Sequence, residues 1–328
     1  MSNSQLVSIV MPLYNREHLI RQTLECVSAQ TYANLEVVIV NDGSSDNSVA
    51  AAEDALKALQ LAGQVITVTN RGPDRARDSG MEVAKGHYIA LLDSDDLWEP
   101  DYLTVMVQAV DDLGTEGLVF SDFNEVDNDL NVISRKSESL VDLPAADPST
   151  THQKFTEGFF EYLLQEQPIF PSALVFQRSL YDRFGTFGKG LPEFKASGES
   201  GEWNFFLRCA HSCPGVYVRE PYVKIRKHDA NLSGDFADQT ASELQILKSL
   251  SDFVELTADQ QALVQAQIVK RSMDCGYHYF ADYRLKAARP HLLHVLPSKH
   301  FVKASIYLAL SILPAGLLRK LRSVKGSA

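Results

Sequence analysis

The chain has 328 residues, 45% of them hydrophobic and 22% charged, with a formal net charge of −11 and a pI of about 5.3. That composition supports one large globular domain plus an appendage. It argues against broad electrostatic binding of nucleic acid, and it means that a polyphosphate ligand needs a metal ion or local cations beside it.

In chain order, residues 6–11 form a β-rich apolar run without a basic flank, which predicts a buried strand rather than a signal segment. Residues 16–30 carry Leu19, Ile20, Leu24 and Val27 at helical spacing. Residues 35–40 (LEVVIV) read as a strand covered on both faces. An Ala/Leu-rich helix follows over 47–61, with Asp46 as its expected N-cap. Residues 64–69 predict a third strand, 73–84 a helix, 87–92 (HYIALL) a fourth strand, 101–113 a helix and 117–121 a fifth strand. Strand–helix repeats of this length imply right-handed crossovers and a largely parallel sheet. From 124 to 226 the pattern loosens. It predicts a hairpin turn at 127–131, a polar loop at 145–151, a helix at 153–165, an extended stretch at 168–176, a helix at 201–211 and one or two strands within 216–225. Helical spacing dominates from 239 onward, with breaks near Thr257 and Pro297. The four cysteines do not form a disulfide framework and read as reduced thiols. Cys209 and Cys213 flank His211, but no second ligand pair follows, so they read as the apolar face of a helix.

Chemistry-bearing residues fall where predicted strands end, which is where open α/β sheets bind ligands. Pro12, Tyr14 and Asn15 follow the first strand, either as a surface on which a base stacks or as a simple turn. Asp42 follows the second strand beside Gly43; a turn with a helix cap explains Asp46 but leaves Asp42 free to accept a base N–H. Asp93, Asp95 and Asp96 follow the fourth strand, and three acids in four residues repel one another unless a cation joins them. Hard oxygen ligands of this kind suit Mg²⁺ or Mn²⁺, which would also bridge a diphosphate; the bland alternative is a solvated acidic turn. Glu199 and Glu202 precede a helix, as capping carboxylates or as a general base.

Three strings, VSIVMPLYNREHLIRQTLECVSAQTY, LEVVIVNDGSSDNS and GHYIALLDSDDLWEPDYL, resemble glycosyltransferase family 2 in content, order and spacing. The likeness is strong over residues 6–121 and patchier to 234. It implies a GT-A fold: a Rossmann-like, mostly parallel sheet flanked by helices, with a helical C-terminal extension. A catalytic domain would span 1–235, its nucleotide-binding half 1–121 and its acceptor half 122–235. Residues 236–328 would form the helical region.

The resemblance also implies roles. Pro12 and Tyr14 would line the base pocket and Asp42 would bond the base, usually uracil. Asp93 and Asp95 would form an Asp-x-Asp motif, with Asp93 toward the ribose and Asp95 on the metal that holds the diphosphate. Asp96 would reach the donor sugar. Arg77, in RARDSG, would hold acidic loop residues or the donor, with Asp78 standing where the family usually has Asn and adding negative charge near the donor. The family's Glu-Asp pair is degraded here: Gly201 takes the Glu position and Glu202 that of the base, with Glu199 as the fallback. His228, in RKHDANLSG, resembles a late His-x-x-Asn-x-Ser segment that closes the site or approaches the metal.

These implications describe an inverting transferase that moves a sugar from a nucleotide-diphosphate donor, a UDP-sugar, to a saccharide or lipid-linked acceptor. It would serve surface polysaccharide or glycolipid synthesis. The apolar run 301–318, broken by Pro314 and followed by Arg319, Lys320, Arg322 and Lys325, suits a helix lying in a membrane interface at 300–328. That would put the protein in the cytoplasm at the inner membrane face. Packing of the tail on the protein or a homodimer contact is the alternative. Rival readings are a non-catalytic sugar-nucleotide or partner-binding member of the fold and a nucleotidyltransferase. A nicotinamide enzyme is disfavoured because no Gly-x-Gly-x-x-Gly follows the first strand.

Overall fold

The structure is a computed structural model that describes residues 4–141, 143, 152–189, 200–228, 236–316 and 318. The expected loop over 145–151 lies outside them. The chain divides into two compact units, Met1–Gly190 with Gly201–Asn231, and Leu191–Ser200 with Leu232–Ala328.

The first unit begins with β1 (Val7–Leu13), α1 (Ile20–Ser28), β2 (Leu35–Asn41), α2 (Ser48–Ala58), β3 (Gly63–Thr67), α3 (Pro73–Val83) and β4 (Tyr88–Leu91). It continues with β5 (Leu97–Trp98), α4 (Tyr102–Leu113), β6 (Leu118–Val126), β7 (Val132–Arg135), β8 (His152–Phe155), α5 (Phe159–Glu166), β9 (Leu174–Gln177), α6 (Arg178–Phe184), α7 (Gly201–Ala210) and β10 (Gly215–Arg226). One sheet runs β3-β2-β1-β4-β9-β6-β10-β5, with β7 beside β6 and β8 beside β10. The β3-β2-β1-β4 part is parallel throughout. β9 then inserts antiparallel between β4 and β6, so the rest of the sheet is mixed. Parallel pairing resumes only between β6 and β10.

The apolar strands are apolar because helices cover them. Val7, Ile9, Met11 and Leu13 of β1 share a core with Ile20, Leu24 and Val27 of α1 and with Leu103, Met106 and Val110 of α4. Each such side chain contributes roughly 1.5–3 kcal/mol on burial. α3 lies against the sheet at Gly80, where a Cβ would sit 2.5 Å from Val10 Cγ1. Only glycine permits that approach.

Three expectations need correction. The helix expected over 153–165 is instead β8 followed by α5, separated by Gly158 at φ 71. The edge of β10 captures residues 152–155 as an antiparallel partner, and this long-range pairing overrides local helical spacing. The extended stretch at 168–176 contains a short 3₁₀ turn, Pro171–Ala173, before β9. Asp46 is not the N-cap of α2. Asn47 takes that position, and Asp46 accepts the Ser48 and Glu17 N–H groups from one residue earlier. The hairpin at 127–131 forms as expected, with the Asp127 carboxylate accepting the N–H groups of Asp129 and Asn131.

The second unit contains α8 (Phe236–Ser249), α9 (Ala258–Ala281), α10 (Leu285–Val295) and α11 (Phe301–Leu310). A capping box between Thr257 and Gln260 starts α9, at the break expected there. Ala237, Met273, Cys275, Tyr279, Leu292 and Ala304 are among the residues of its core.

Candidate active site

Strand order dictates the site. β1 lies between β2 and β4, so the loops that leave the carboxyl ends of these three strands are neighbours. They carry Tyr14–Arg16, Asp42 and the acidic turn Asp93–Asp96.

The acidic turn is anchored from several elements. Arg77 of α3 donates to Asp93 Oδ1 at 2.5 Å. Ser172, in the 3₁₀ turn before β9, accepts the Asp93 N–H at 3.0 Å and donates to Asp96 Oδ2 at 2.6 Å. Arg226, at the end of β10, gives its backbone N–H to Asp96 Oδ1 and its Nε–H to the Asp95 carbonyl. Thr23 of α1 donates to the Ser94 carbonyl. Asp93 and Asp95 point to different partners: Asp93 to Arg77, and Asp95 Oδ2 to Arg16 Nε at 2.8 Å and His228 Nε2 at 3.1 Å.

Their ionisation follows from these surroundings. Burial pushes Asp93 up, and Arg77 offsets this only in part. Asp95 suffers the same burial, yet the His228 hydrogen bond and the Arg16 charge hold it below the usual carboxylate range. Asp96 is pushed well up by burial and by the neighbouring Asp95 and Asp93 charges.

Asp42 is 3% exposed, and its two oxygens accept the N–H groups of Arg71 and Gly72, each at 2.9 Å. It therefore fixes the loop that leads into α3. A carboxylate has about four lone-pair sites, so these two bonds do not exhaust it. Tyr14 is 43% exposed beside it along the sheet edge.

Two expected site residues are buried in the protein. Pro12 is buried in β1, in register with Val40. Lacking an N–H, it instead marks where β1 stops pairing with β4, at Val10–Leu91. Asp96 is 2% exposed, and its two oxygens take the Ser172 hydroxyl and the Arg226 N–H, so it anchors the turn from within the protein.

Arg77 is no surface ion pair. It is 3% exposed and bridges Asp74 at 3.1 Å and Asp93 at 2.5 Å, with Glu202 Oε2 at 4.0 Å. Burial alone would lower its pKa, but the charges of Asp93, Asp74 and Glu202 reverse that and raise it. Asp78 does not join this cluster. It accepts Tyr181 Oη–H and the Phe187 N–H, and burial pushes it up. Glu202 lies in the first turn of α7. Burial and the adjacent Asp74 carboxylate push it well above the usual range, against the pull of Arg77. Glu199 lies outside the described residues.

The donors on Asp95 and His228 are a carboxylate oxygen and an imidazole nitrogen 3.1 Å apart, a pair that suits Mn²⁺ and, less well, Mg²⁺. Among the described residues no group of three or more His, Cys, Asp or Glu side chains is gathered to hold a metal. Sites of the Mg²⁺ type commonly complete their ligand shell with substrate phosphate and water. Cys209 is buried on α7, as expected, whereas Cys213 is buried beyond the end of that helix.

Arg16, Asp74, Ser172 and Arg226 were not singled out from the sequence. Arg16 had a signal, as a cation directly after the strand-end Tyr14–Asn15 turn. Ser172 had none, because its partners are 76 and 79 residues away.

Residues 8–184 match the family model described as glycosyl transferase family 2. Glycosyltransferase GlyG of Streptococcus pneumoniae is 33% identical over 129 residues, covering 39% of this chain and 42% of that protein. The UDP-Glc:alpha-D-GlcNAc-diphosphoundecaprenol beta-1,3-glucosyltransferase WfgD of Escherichia coli is 39% identical over 106 residues, 31% of this chain and 40% of that one. The match thus spans less than half the length of these curated relatives. Among solved structures, residues 1–349 of TarS from S. aureus in complex with UDP-GlcNAc superpose with a TM-score of 0.62 at 15% identity, covering 93% of this chain and 91% of that one. Mannosyltransferase PcManGT from Pyrobaculum calidifontis, in complex with GDP-Man and Mn²⁺, gives a TM-score of 0.57 at 19% identity, covering 94% and 79%.

Proposed function

This chain belongs to glycosyl transferase family 2, and on that premise we propose that it is an inverting glycosyltransferase that moves a sugar from a UDP-sugar to an acceptor hydroxyl. One observation carries the reading. A single buried guanidinium, Arg77, bonds Asp93 of the acidic turn and lies 4.0 Å from Glu202 at the start of α7. The turn that would meet the nucleotide and the carboxylate that would meet the acceptor are thereby held to one rigid group.

In this mechanism Tyr14 stacks on the base and Asp42 offers it a remaining lone pair. Asp93 orients the ribose. Asp95 and His228 are the residues that would hold Mn²⁺ or Mg²⁺. When bound, such an ion supplies positive charge to the diphosphate leaving group. Glu202 accepts the acceptor hydroxyl proton as that oxygen bonds the anomeric carbon and the bond to the nucleoside diphosphate breaks on the opposite face. One displacement inverts the anomeric centre. Replacing Glu202 by Gln should lower kcat by about 10²- to 10⁴-fold with donor KM little changed, measured as UDP release from a UDP-sugar panel with Mn²⁺. Normal turnover in that variant would refute the assignment.

The catalytic domain is 1–235 and the helical region 236–328 in this reading. The acceptor is saccharide or lipid-linked, in surface polysaccharide or glycolipid assembly, a reading supported by the lipid-diphosphate substrate in the name of WfgD. The C-terminal segment would meet the inner membrane face. Residues 283–328 contain nine Lys or Arg and no Asp or Glu. Phe301, Val302, Ile306 and Ile312 are all more than half exposed, while Ala304 on the other side of α11 is buried. No helix among the described residues is long and apolar enough to cross a membrane.

A further inference from the structure

Position 201 has no side chain, and another carboxylate fills the space. Asp74 of α3, 1% exposed, accepts the Gly201 N–H on Oδ2 at 2.7 Å. A Cβ built on Gly201 would lie 2.8 Å from that same Oδ2 and 3.1 Å from Asp74 Cγ. The other oxygen, Oδ1, takes Arg77 Nη1 at 3.1 Å. Asp74 thus ties three things together: the first turn of α7, the guanidinium that holds Asp93, and the immediate surroundings of Glu202. At a helix N-terminus a carboxylate that takes a free N–H is favourable in itself. This one comes from a different helix, 127 residues away in sequence.

We propose that Asp74 is the positioning residue for the base: its carboxylate, supplied from α3 into the space that a side chain at position 201 would need, fixes the start of α7 and Arg77 so that Glu202 meets the acceptor hydroxyl. The proposal rests on the reading of Glu202 as base and deepens it. Asp74 touches no substrate in this scheme. It acts through Gly201 and Arg77, and its loss displaces Glu202 while the nucleotide contacts stay: Tyr14 and Asp42 are not its partners, and Asp93 is held by Arg77 Nη2, a nitrogen that Asp74 does not bond. The requirement is for one carboxylate in that space, whichever residue bears it. Asp74 and a Glu at 201 are therefore alternatives that cannot coexist without a clash.

The experiment compares wild type, Glu202→Gln, Asp74→Ala, Asp74→Asn, Gly201→Glu and the double variant Asp74→Ala/Gly201→Glu in the full chain. It reads kcat and KM with UDP-glucose and UDP-GlcNAc in Mn²⁺, beside the thermal shift given by UDP with Mn²⁺. A displacement of about 1 Å at a reacting group costs on the order of 100-fold, so Asp74→Ala should lose about that much kcat. Its donor KM and UDP shift should stay within about twofold. Asp74→Asn, which can still accept the Gly201 N–H, should fall between the two, and it serves alone if the alanine variant does not fold. Gly201→Glu should be as impaired as Asp74→Ala, and the double variant should recover at least tenfold over either single change. Wild-type turnover in Asp74→Ala beside a dead Glu202→Gln would overturn the positioning proposal alone, as would a double variant no better than the singles. Full turnover in Glu202→Gln would instead overturn the base assignment.

Discussion

Glu202 lies between a carboxylate and a guanidinium, and the balance between them sets when it can take a proton. Burial and the Asp74 charge raise its pKa well above an ordinary glutamate, and Arg77 lowers it only in part. A base works deprotonated. As pH falls through the raised value Glu202 gains its proton and turnover is lost, so the acidic limb of kcat/KM should lie above the ordinary glutamate value of about 4.3. The Asp74→Asn variant, having lost one neighbouring negative charge, should move that limb downward. A pH–rate profile with its limb at the ordinary value in both proteins would contradict this. At the same scale, Asp42, Asp93 and Asp95 were legible in the sequence because each follows an apolar strand directly. The bonds that decide the fate of Asp96 and Asp74 were not, since Ser172 and Gly201 come from remote segments. The sequence does not separate Pro12 from Tyr14 either: Pro12 is buried at the strand end, and Tyr14 emerges from the sheet.

Among the elements, the parallel half of the sheet was readable because LEVVIV and HYIALL are apolar on both faces, as only helix-covered strands are. The insertion of β9 between β4 and β6 was not readable. Residues 174–177 are too few for a periodicity, and their pairing is decided by partners far along the chain. That insertion matters to the site, because the 3₁₀ turn before β9 delivers Ser172 to the acidic turn. The Ser172 hydroxyl bonds Asp96 and the Asp93 N–H, and its carbonyl accepts Trp98 Nε1–H at 2.7 Å. Ser172→Ala leaves the Asp96 oxygen buried without its partner, which costs about 1–3 kcal/mol. A chemical denaturation series should show the loss in midpoint at unchanged slope. Stability equal to wild type would mean that Arg77, Thr23 and Arg226 hold the turn without Ser172.

For the whole molecule, charge is distributed unevenly. The chain carries −11 overall, while its last 46 residues hold only basic charge. Each Lys or Arg close to an anionic bilayer contributes about 1 kcal/mol, and the exposed Phe301, Val302 and Ile306 add apolar area. The full chain should co-sediment with phosphatidylglycerol vesicles, less with phosphatidylcholine vesicles, and should be released by high salt and by Phe301→Asp/Ile306→Asp. Equal sedimentation with either lipid, or a dimer dissociated by the same variant without vesicles, would contradict membrane docking.

A nucleoside diphosphate bound beside Asp95 and His228 is the central requirement of this mechanism. Calorimetric titration of UDP into the full chain, with Mn²⁺ and then with chelator, addresses this directly. Binding that needs Mn²⁺ and that weakens at least tenfold in Asp95→Asn is the expected result. UDP binding indifferent to chelator and to Asp95→Asn, or no binding under either condition, would contradict it.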